Sequence, residues 1–415
     1  MTSAAVPARF QALITAHRAR LAVALLVVGA LGLAARLWVS YLSHGSNDIN
    51  TWGWFAADER LHGVGWLYDH RDGFNHPPLM VMMAGALHAL AEKARLRFDF
   101  LFKLPSVAAD LAAALLIHWR WRRQSALLAA AAFALFCWNP ASFLVTAHHG
   151  NTDPLCATLS LLAGLLVDRG NGFAAGLALG GAVNVKLIPV LLLPALLSAL
   201  PSARACLRFA GGLALGAVPF IPVLIGHWPG FYRRVLAYRS FPHEWGITSM
   251  LASFKSLGHL REVGAALDSF WIARGSLFIL AGAVALAAVN RARHRAWDAP
   301  TLAACVYLLF ILLAPGFGLQ YLIYPIPLLF VVRLPRAVFY STLAGAFMLL
   351  VYYSLWTGGR PYYSEFREGI PAGAKVVGNF VWLLCATTIV SLLRRRSPGG
   401  GGEYPAAEPS YSPRG

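Results

Sequence analysis

Long apolar stretches, separated by short polar segments, follow one another along the chain from residue 21 to residue 393. A helix that crosses the roughly 30 Å hydrocarbon core of a bilayer needs about 20 mainly apolar residues, because each residue adds about 1.5 Å. The pattern therefore predicts an all-α, polytopic integral membrane protein. The predicted spans are 21–41, 101–118, 125–139, 153–168, 172–185, 187–200, 206–226, 269–289, 300–316, 320–332, 337–356 and 374–393.

One apolar stretch, 77–91, is short for a crossing, and the positions of the arginines decide how it is interpreted. Cytoplasmic loops of membrane proteins carry an excess of Lys and Arg. If 77–91 crossed the membrane, the cluster Arg120, Arg122 and Arg123 would face outward, against this rule. We therefore interpret the stretch as a juxtamembrane or re-entrant helix, which gives about twelve spans with both termini inside. Residues 172–200 could also form one broken helix.

The predicted spans divide the chain into three parts. A cytoplasmic N-terminus of residues 1–20 precedes a single transmembrane domain over 21–393, whose outer loops cover about 42–100 and 227–268. The last residues, 394–415, are rich in Gly, Pro and Ser, and a segment of this composition cannot bury a core. We expect a disordered cytoplasmic tail there.

Composition agrees with this pattern and argues against a nucleic-acid-binding protein. Hydrophobic residues make up 58% and charged residues 13% of the chain, whereas a soluble domain has about 45–50% and about 25%. The formal net charge of +17 is spread over short clusters between apolar runs, as expected of cytoplasmic loops. The five cysteines form no CxxC pair, so neither a zinc site nor a disulfide framework is indicated. We expect membrane lipids, and not nucleic acid, as partners.

The first outer loop carries a group of acidic residues. Asp48 follows the first span by a few residues, where a carboxylate at the membrane surface could accept a proton from an attacking hydroxyl. Asp58, Glu59, Asp69 and Asp72 lie further along the loop, and we interpret them as ordinary solvated acids.

His76 stands directly before Pro77 and Pro78 in the same loop. Pro77 disfavours a helical conformation of His76, and Pro78 suits the first turn of a helix. His76 is therefore predicted at a helix N-terminus, a favourable place for an anion such as phosphate. A plain helix start explains the two prolines equally well.

A second polar cluster, His148, His149 and Asp153, lies in the predicted outer segment between the third and fourth spans. These side chains could orient a sugar and a phosphate, or bind a divalent metal. A metal site usually needs three or more protein ligands with supporting hydrogen bonds, which spacing alone does not provide. We therefore predict no metal and no other cofactor. The alternative for Asp153 is a capping role at the next helix, which is compatible with substrate contact.

Lys186 lies between two long apolar runs. An ammonium at the bilayer centre costs about 2.5 kcal/mol or more, so we expect Lys186 to face a cavity or a partner such as a lipid phosphate. Snorkelling to the interface is the alternative. Gln320 and Tyr321 stand at an outer helix start, where they could line a site or belong to a cap and an aromatic belt. Asp110, inside a span, is interpreted as a structural hydrogen-bonding residue, and Arg36 stays ambiguous.

Taken in order, these segments resemble the GT-C superfamily of polyprenol-phosphate-sugar-dependent glycosyltransferases, and most of all its bacterial branch with the family 87 mannosyltransferases. The resemblance covers residues 46 to 325, about two thirds of the chain. The segments that carry it are Asp48, His76-Pro-Pro-Leu79, Lys103-Leu-Pro-Ser106 with Asp110, Asn139-Pro140, His148-His-Gly-Asn-Thr-Asp153, Asn184-Val-Lys186 and Gln320-Tyr-Leu322. The branch motif usually reads Gly-Gln-Val followed by Asp or Asn, and this chain departs from it with Gly150-Asn-Thr-Asp153.

The resemblance implies about a dozen helices, short helices in the first outer loop, and an active site on the outer face of the bacterial cytoplasmic membrane. It implies that Asp48 is the catalytic base and that Lys186, with His76, holds the phosphate of a polyprenyl-phosphate sugar donor. The hydroxyl of a lipid or glycan acceptor would displace the polyprenyl phosphate with inversion and take up a hexose or pentose, as in a mannosyltransferase. The remaining expected substrate-binding residues are His148, His149, Asp153, Gln320 and Tyr321.

A lipid or glycolipid flippase without transferase activity is the alternative function, with Lys186, Asp110 and Arg36 along a translocation path. Transporters often contain inverted repeats with corresponding broken helices, and the sequence shows no such repeat. A purely structural membrane subunit would not need ionisable groups clustered at the opening of one cavity. The concentration of acids in one outer loop favours the enzyme.

Overall fold

The structure is a computed structural model, and it describes residues 8–238, 240–255, 257–357, 362–366 and 369–394. Almost all of this part is helical, and the prediction of an all-α membrane protein is confirmed. The α-helices are α1 (Ala8–Leu42), α2 (Asn47–His62), α3 (Val64–His70), α4 (Pro78–Ala94), α5 (Phe98–Trp121), α6 (Ala126–Cys137), α7 (Pro140–Phe143), α8 (Asp153–Asp168), α9 (Gly172–Val185), α10 (Leu193–Ala199), α11 (Ala203–Gly216), α12 (Ile221–Gly226), α13 (Trp228–Phe231), α14 (Gly246–Phe254), α15 (Arg261–Ala292), α16 (Ala299–Leu313), α17 (Ile326–Val332), α18 (Leu334–Ser354) and α19 (Ala372–Leu393).

Shorter elements complete the fold. The 3₁₀-helical turns are Ile188–Leu192, Val218–Phe220, Gly258–Leu260 and Leu319–Ile323, and the π-helical turns are Leu144–His149 and Tyr232–Leu236. Two strands of two residues each, β1 (Gly45–Ser46) and β2 (Tyr363–Ser364), pair in parallel. This pairing ties the segment 362–366 to the start of α2, although more than 300 residues separate them in the chain.

Within the described residues, five helices are long and apolar enough to cross a membrane, by length and composition. They are His17–Leu42, Phe98–Trp121, Gly258–Ala292, Leu334–Ser354 and Ala372–Leu393. Two bent pairs raise the number to seven if each pair is one span. They are Ala126–Cys137 with Pro140–His149, bent by 42°, and Ala203–Gly216 with Val218–Gly226, bent by 43°. The total of about twelve spans stays a prediction.

Three of the predicted boundaries lie elsewhere in the structure. The chain is helical from Ala8, inside the predicted N-terminal segment 1–20. The predicted outer segment after residue 139 is helical as far as His149, because Asn139 caps a new helix that begins at Pro140. The helix α15 already begins at Arg261, inside the predicted loop 227–268. The tail 394–415 lies outside the described residues apart from Arg394.

The first outer loop contains α2, α3 and α4, so the helices expected there are present. The apolar stretch 77–91 forms α4, which packs against α2 and α5. At 17 residues it is shorter than the helices that qualify as spans by length, as α9 and α16 also are, so whether it crosses stays a prediction.

A break at Lys186 separates α9 from the next helical segment. Lys186 has extended backbone angles, and helical structure resumes at Ile188, with Pro189 in its first turn. Pro lacks an N–H and fits the start of a helix better than its interior. The region 172–200 therefore forms two helical segments, and Lys186 lies at the break between them, outside either segment.

Arg36 and Asp110 form a buried ion pair between α1 and α5, with Nε and Oδ2 3.0 Å apart. The hydroxyls of Ser142 and Thr146 also donate to Asp110. The interpretation of Asp110 as a structural hydrogen-bonding residue is confirmed. Neither residue lines the large cavity described below.

Candidate active site

A cavity of about 720 Å³ lies where the predicted outer segments meet. Its walls come from α2, the loop before α4, the turn after His149, the break at Lys186, residues 235–238 and 240–244, the turn around Gln320 and the segment after β2. Six of the eight residues singled out in the sequence line this cavity. They are Asp48, His76, His149, Lys186, Gln320 and Tyr321.

Asp48 is held at the first turn of α2. The hydroxyl of the N-cap residue Ser46 accepts a hydrogen bond from the Asp48 backbone N–H, and it also donates to the carbonyl of His149. Two side chains approach the carboxylate at the same oxygen: Oδ2 lies 3.0 Å from His149 Nε2 and 2.7 Å from Asn151 Nδ2. The side chain of Asp48 is 36% exposed, so the carboxylate is accessible from the cavity.

The surroundings keep Asp48 ionised. Burial alone would raise its pKa, but the hydrogen bond with His149 and the positive charge of Lys186 oppose burial, and the pKa is lowered. Asp48 is therefore a carboxylate at neutral pH and can accept a proton.

His149 is buried, and both of its ring nitrogens are in contact with other side chains. Nε2 faces Asp48, and Nδ1 lies 2.9 Å from the hydroxyl of Tyr352. The π-helical turn that carries His149 ends at Gly150, whose φ of 74° lies in the left-handed region that favours glycine. A Cβ at Gly150 would also collide with the side chain of Ile49. The turn that aims His149 at Asp48 therefore requires this glycine.

Lys186 points into the cavity from the break after α9, and a buried acid lies behind it. Its Nζ lies 2.9 Å from Oδ1 and 2.8 Å from Oδ2 of Asp153. The hydroxyl of Tyr324 donates to the same carboxylate at 2.5 Å. The Lys186 ammonium also lies 5.2 Å from the centre of the Tyr321 ring, within the range of a cation–π contact. The ion pair with Asp153 therefore holds Lys186 on the side away from the cavity, while 12% of the Lys186 side chain stays exposed.

His76 lies beside the cavity against the ring of Trp52, with ring centroids 4.2 Å apart. Burial and the charge of Lys186 together lower the pKa of His76 to about 3, against the opposing effect of Asp48. His76 is therefore neutral at pH 7, and its expected contact with the donor phosphate stays a prediction. Its Nδ1 is buried and has no hydrogen-bond partner among the described residues. A neutral imidazole with a vacant nitrogen can bind a hydroxyl or a phosphate oxygen.

His148 and Asp153 do not line the cavity. His148 lies between two serine hydroxyls, with Nδ1 3.0 Å from Ser43 Oγ and Nε2 3.1 Å from Ser364 Oγ. Since Ser364 belongs to β2, His148 helps to join the two strands to the π-helical turn Leu144–His149. Asp153 is the first residue of α8, is fully buried, and contacts Lys186 and Tyr324. Both residues therefore support the walls of the cavity and do not face its interior.

No cluster of three or more His, Cys, Asp or Glu that could hold a metal ion occurs among the residues whose placement is described. Among the described residues that line the cavity, Lys186 is the only Lys or Arg. The other walls are largely aromatic and aliphatic, with Phe55, Tyr238, Phe317 and Phe366 among them. Aromatic faces of this kind suit stacking against sugar rings.

The sequence profile of glycosyltransferase family 87 matches residues 74–315, more than half of the chain. The chain belongs to glycosyltransferase family 87. No protein of curated function matches it in sequence. The matched region includes His76, His149 and Lys186, whereas Asp48, Gln320 and Tyr321 lie outside it. Membership in the family gives glycosyl transfer as the activity and implies a sugar donor and an acceptor.

Sequence reasoning missed two residues of this family 87 site. Asn151, which donates to Asp48, lies inside the quoted cluster but has no distinctive signal there. Tyr352 lies near the end of α18 next to Tyr353, in an apolar stretch that looks like part of an aromatic belt. Only the packing of α18 against the π-helical turn of His149 reveals its contact. Residues 235–238 and 240–244, from the predicted outer loop 227–268, supply one wall of the cavity.

The arrangement has the parts that a glycosyltransferase needs. An ionised carboxylate can take the proton of an attacking hydroxyl, and an ammonium can stabilise charge on a leaving phosphate. The charge of Lys186 acts on Asp48, so the two groups lie within electrostatic reach of one another. A cavity of about 720 Å³ has room for a sugar and parts of both its donor and its acceptor.

Proposed function

We propose that this family 87 glycosyltransferase moves a hexose or pentose from a polyprenyl-phosphate sugar to a lipid or glycan acceptor on the outer face of the bacterial cytoplasmic membrane. The observation that carries the proposal is the presence of Asp48 and Lys186 in one cavity. A base and a phosphate-binding cation at one site are the two groups that such a transfer requires.

The reaction is a single displacement. The acceptor hydroxyl attacks the anomeric carbon of the donor and forms the new glycosidic bond, while the bond from the anomeric carbon to the phosphate oxygen breaks. The electron pair of that bond goes to the polyprenyl phosphate, whose charge Lys186 stabilises. The acceptor's proton goes to Asp48. Because one bond replaces the other on opposite faces of the carbon, the product has the inverted configuration.

The charge of the cavity supports a donor with one phosphate. Lys186 is the only Lys or Arg among the described lining residues, and it already shares its charge with Asp153. A diphosphate donor such as a nucleotide sugar is usually bound with a divalent metal or several cations. The apolar lining at Leu187, Ile188 and Leu319 suits the first isoprene units of a lipid carrier.

The outer-face orientation is supported by the origin of the walls. Every segment that lines the cavity lies in a predicted outer loop or at the outer end of a predicted span. The basic clusters of the chain, such as Arg120, Arg122 and Arg123, lie in the predicted inner loops. This distribution agrees with a cytoplasmic location of the basic loops.

A donor screen tests the proposal. Purified protein in lipid nanodiscs is given radiolabelled polyprenyl-phosphate mannose, glucose or arabinose together with a membrane lipid extract, and nucleotide sugars serve as comparison donors. We expect transfer from one of the lipid monophosphate sugars and none from the nucleotide sugars. Transfer from nucleotide sugars alone would overturn the proposed donor class, and no transfer from any donor would favour a flippase.

Paired variants test the role of Asp48 in the same assay. Asp48→Asn should abolish transfer, because an amide cannot accept the proton. Asp72→Asn is the matched control, since Asp72 is a fully exposed acid of the same loop outside the cavity. Equal loss in both variants, or full activity in Asp48→Asn, would remove Asp48 from the role of base.

A further inference from the structure

Two hydrogen-bond donors reach the same oxygen of Asp48. His149 Nε2 and Asn151 Nδ2 both contact Oδ2, at 3.0 Å and 2.7 Å. No contact of Oδ1 occurs among the described hydrogen bonds of this residue. The carboxylate is therefore held by one oxygen, and the other oxygen is left for a ligand in the cavity. Oδ1 stays available to a ligand only while His149 and Asn151 keep their orientation toward Oδ2.

The orientation of His149 depends on a second contact. An imidazole can present either nitrogen as the donor, and the partner of the other nitrogen selects the tautomer. Nδ1 of His149 lies 2.9 Å from the hydroxyl of Tyr352, which can donate to it. With Nδ1 accepting from Tyr352, the ring hydrogen is on Nε2, where it points at Asp48.

Tyr352 itself is fixed by its surroundings. Its ring is buried, packs against the ring of His149 with centroids 5.6 Å apart, and meets Phe366 edge-on. Its backbone carbonyl accepts a hydrogen bond from Ser364 in β2. The paired strands, the end of α18 and the turn of His149 therefore meet at Tyr352, the strands through its carbonyl and the turn through its hydroxyl.

We propose that Tyr352 and His149 are positioning residues that hold Oδ2 of Asp48 and direct Oδ1 to the acceptor hydroxyl. This inference rests on the proposed function, in which Asp48 is the base, and it adds how the base is oriented. Neither residue has to touch the sugar. Removal of the Tyr352 hydroxyl should allow both tautomers of His149 and leave Asn151, among the described residues, as the one fixed side-chain donor to Oδ2 of Asp48.

Tyr352→Phe is the direct test, and Tyr353→Phe is the matched control. The two tyrosines are neighbours on α18, but Tyr353 is 74% exposed whereas Tyr352 is buried. We expect Tyr352→Phe to lower kcat by several-fold to about tenfold, the effect of one lost hydrogen bond. The KM for the donor should stay the same, because Tyr352 does not line the cavity. Tyr353→Phe should leave both constants unchanged. A change in KM alone, or equal effects of the two variants, would overturn the proposal.

The tautomer of His149 gives a readout that is independent of activity. Histidine labelled with ¹⁵N is incorporated into the protein in nanodiscs, and His149→Gln assigns the signal of His149. We expect hydrogen on Nε2 in the wild type and a mixture of tautomers in Tyr352→Phe. Hydrogen on Nδ1 in the wild type would overturn the proposal even if the variant fails to fold. The measurement needs no substrate, so it stays decisive if the donor screen fails and the proposed function falls.

A conservative replacement of His149 distinguishes a positioning role of this residue from a packing role. His149→Gln keeps an amide that can donate to Asp48 from nearly the same place, whereas His149→Leu keeps the bulk and loses the donor. We expect His149→Gln to retain more activity than His149→Leu. Equal activity of the two variants would contradict a positioning role.

Discussion

Lys186 and Asp153 form an ion pair whose two members differ in exposure, since Asp153 is fully buried and Lys186 is 12% exposed. Removal of Lys186 leaves a buried carboxylate with only the hydroxyl of Tyr324 as a side-chain donor among the described contacts. Breaking a buried pair in this way typically costs about 3–5 kcal/mol. The pair therefore has a structural role beside its proposed role in phosphate binding.

We predict that Lys186→Met lowers the free energy of unfolding by about 3–5 kcal/mol and abolishes transfer. The double variant Lys186→Met/Asp153→Asn should recover part of the stability but none of the activity, because the ammonium is still absent. Thermal unfolding in detergent and the transfer assay measure the two effects. The control is Lys375→Met, whose pair with Glu244 is partly exposed and should be worth at most about 1 kcal/mol. A Lys186→Met variant as stable as this control would contradict the prediction.

The lowered pKa of Asp48 sets the pH dependence of the enzyme. A carboxylate whose pKa is lower in the folded state stabilises the fold above its unfolded value of about 3.9, and this contribution is lost as the pH falls through the folded value. Protonation of the Asp48 carboxylate, which removes the proposed base, likewise occurs only at that low pH. We predict that kcat/KM of the wild type stays level from neutral pH down to about pH 4–5.

The acidic limb of the pH profile is the range in which kcat/KM falls as the pH is lowered. His149→Leu should move this limb to higher pH, because burial then raises the pKa of Asp48 without the opposing hydrogen bond. The measurement is kcat/KM against pH, with circular dichroism at each pH to exclude unfolding. A wild-type limb near neutral pH would contradict the predicted ionisation of Asp48.

At the residue scale, the sequence indicates polar groups that are unusual in their surroundings. Asp48, His149 and Lys186 stand out because an apolar chain has few ionisable residues, and all three line the cavity. Whether such a group faces the cavity or its supporting wall depends on packing, so Asp153 could not be told apart from Lys186. Tyr352 could not be found at all, because a tyrosine at the end of an apolar helix is ordinary in a membrane protein.

At the element scale, the helices α9 and α11 cross at glycines. A Cβ at Gly176 would collide with the carbonyl oxygen of Phe209, and a Cβ at Gly212 would collide with that of Phe173. Gly180 and Gly216 also meet at the crossing. Small residues allow such close approach of backbones in membrane proteins, where packing rather than the hydrophobic effect holds helices together. Since α9 ends just before Lys186, this crossing also helps to position Lys186.

Two adjacent glycines of α11 allow a controlled test of this crossing. We predict that Gly212→Ala lowers the free energy of unfolding by about 1–3 kcal/mol, the usual cost of overpacking. Gly211→Ala should have little effect, because a Cβ there meets nothing within 4 Å. Thermal unfolding in detergent compares the two variants. Equal stability of both would show that the helices can separate at no cost, against the close crossing.

The sequence predicts most helices well but not the ends of several. Apolar length identifies the long spans because the bilayer requires it. The sequence pattern predicts loops at 140–149 and at 261–268, where polar residues such as His149, Glu262 and Asp268 interrupt the apolar runs, but both segments are helical. In the structure these polar groups have partners, such as His243 and Lys255 for Asp268. The two-residue strands are too short for any periodic signal to indicate them.

At the scale of the whole molecule, the predicted topology places all walls of the cavity on one side of the membrane. Single cysteines test this arrangement. Four native cysteines are buried and Cys206 is only partly buried, so the Cys206→Ala protein is a suitable background. We predict that Asp72→Cys reacts with a membrane-impermeant maleimide in intact cells. Gln124→Cys, in a predicted inner loop, should react only after the cells are opened. The opposite pattern would invert the topology and contradict an outward-facing site.

The most direct test of the account is a single-turnover measurement with labelled polyprenyl-phosphate sugar and acceptor, comparing the wild type with Asp48→Asn. If Asp48 is the base beside a phosphate held by Lys186, the variant should bind the donor as tightly as the wild type. Its chemical step should be slower by roughly 10²–10⁴-fold, and the wild-type product should have the inverted anomeric configuration. A chemical step of unchanged rate in Asp48→Asn, or a product with retained configuration, would contradict the account.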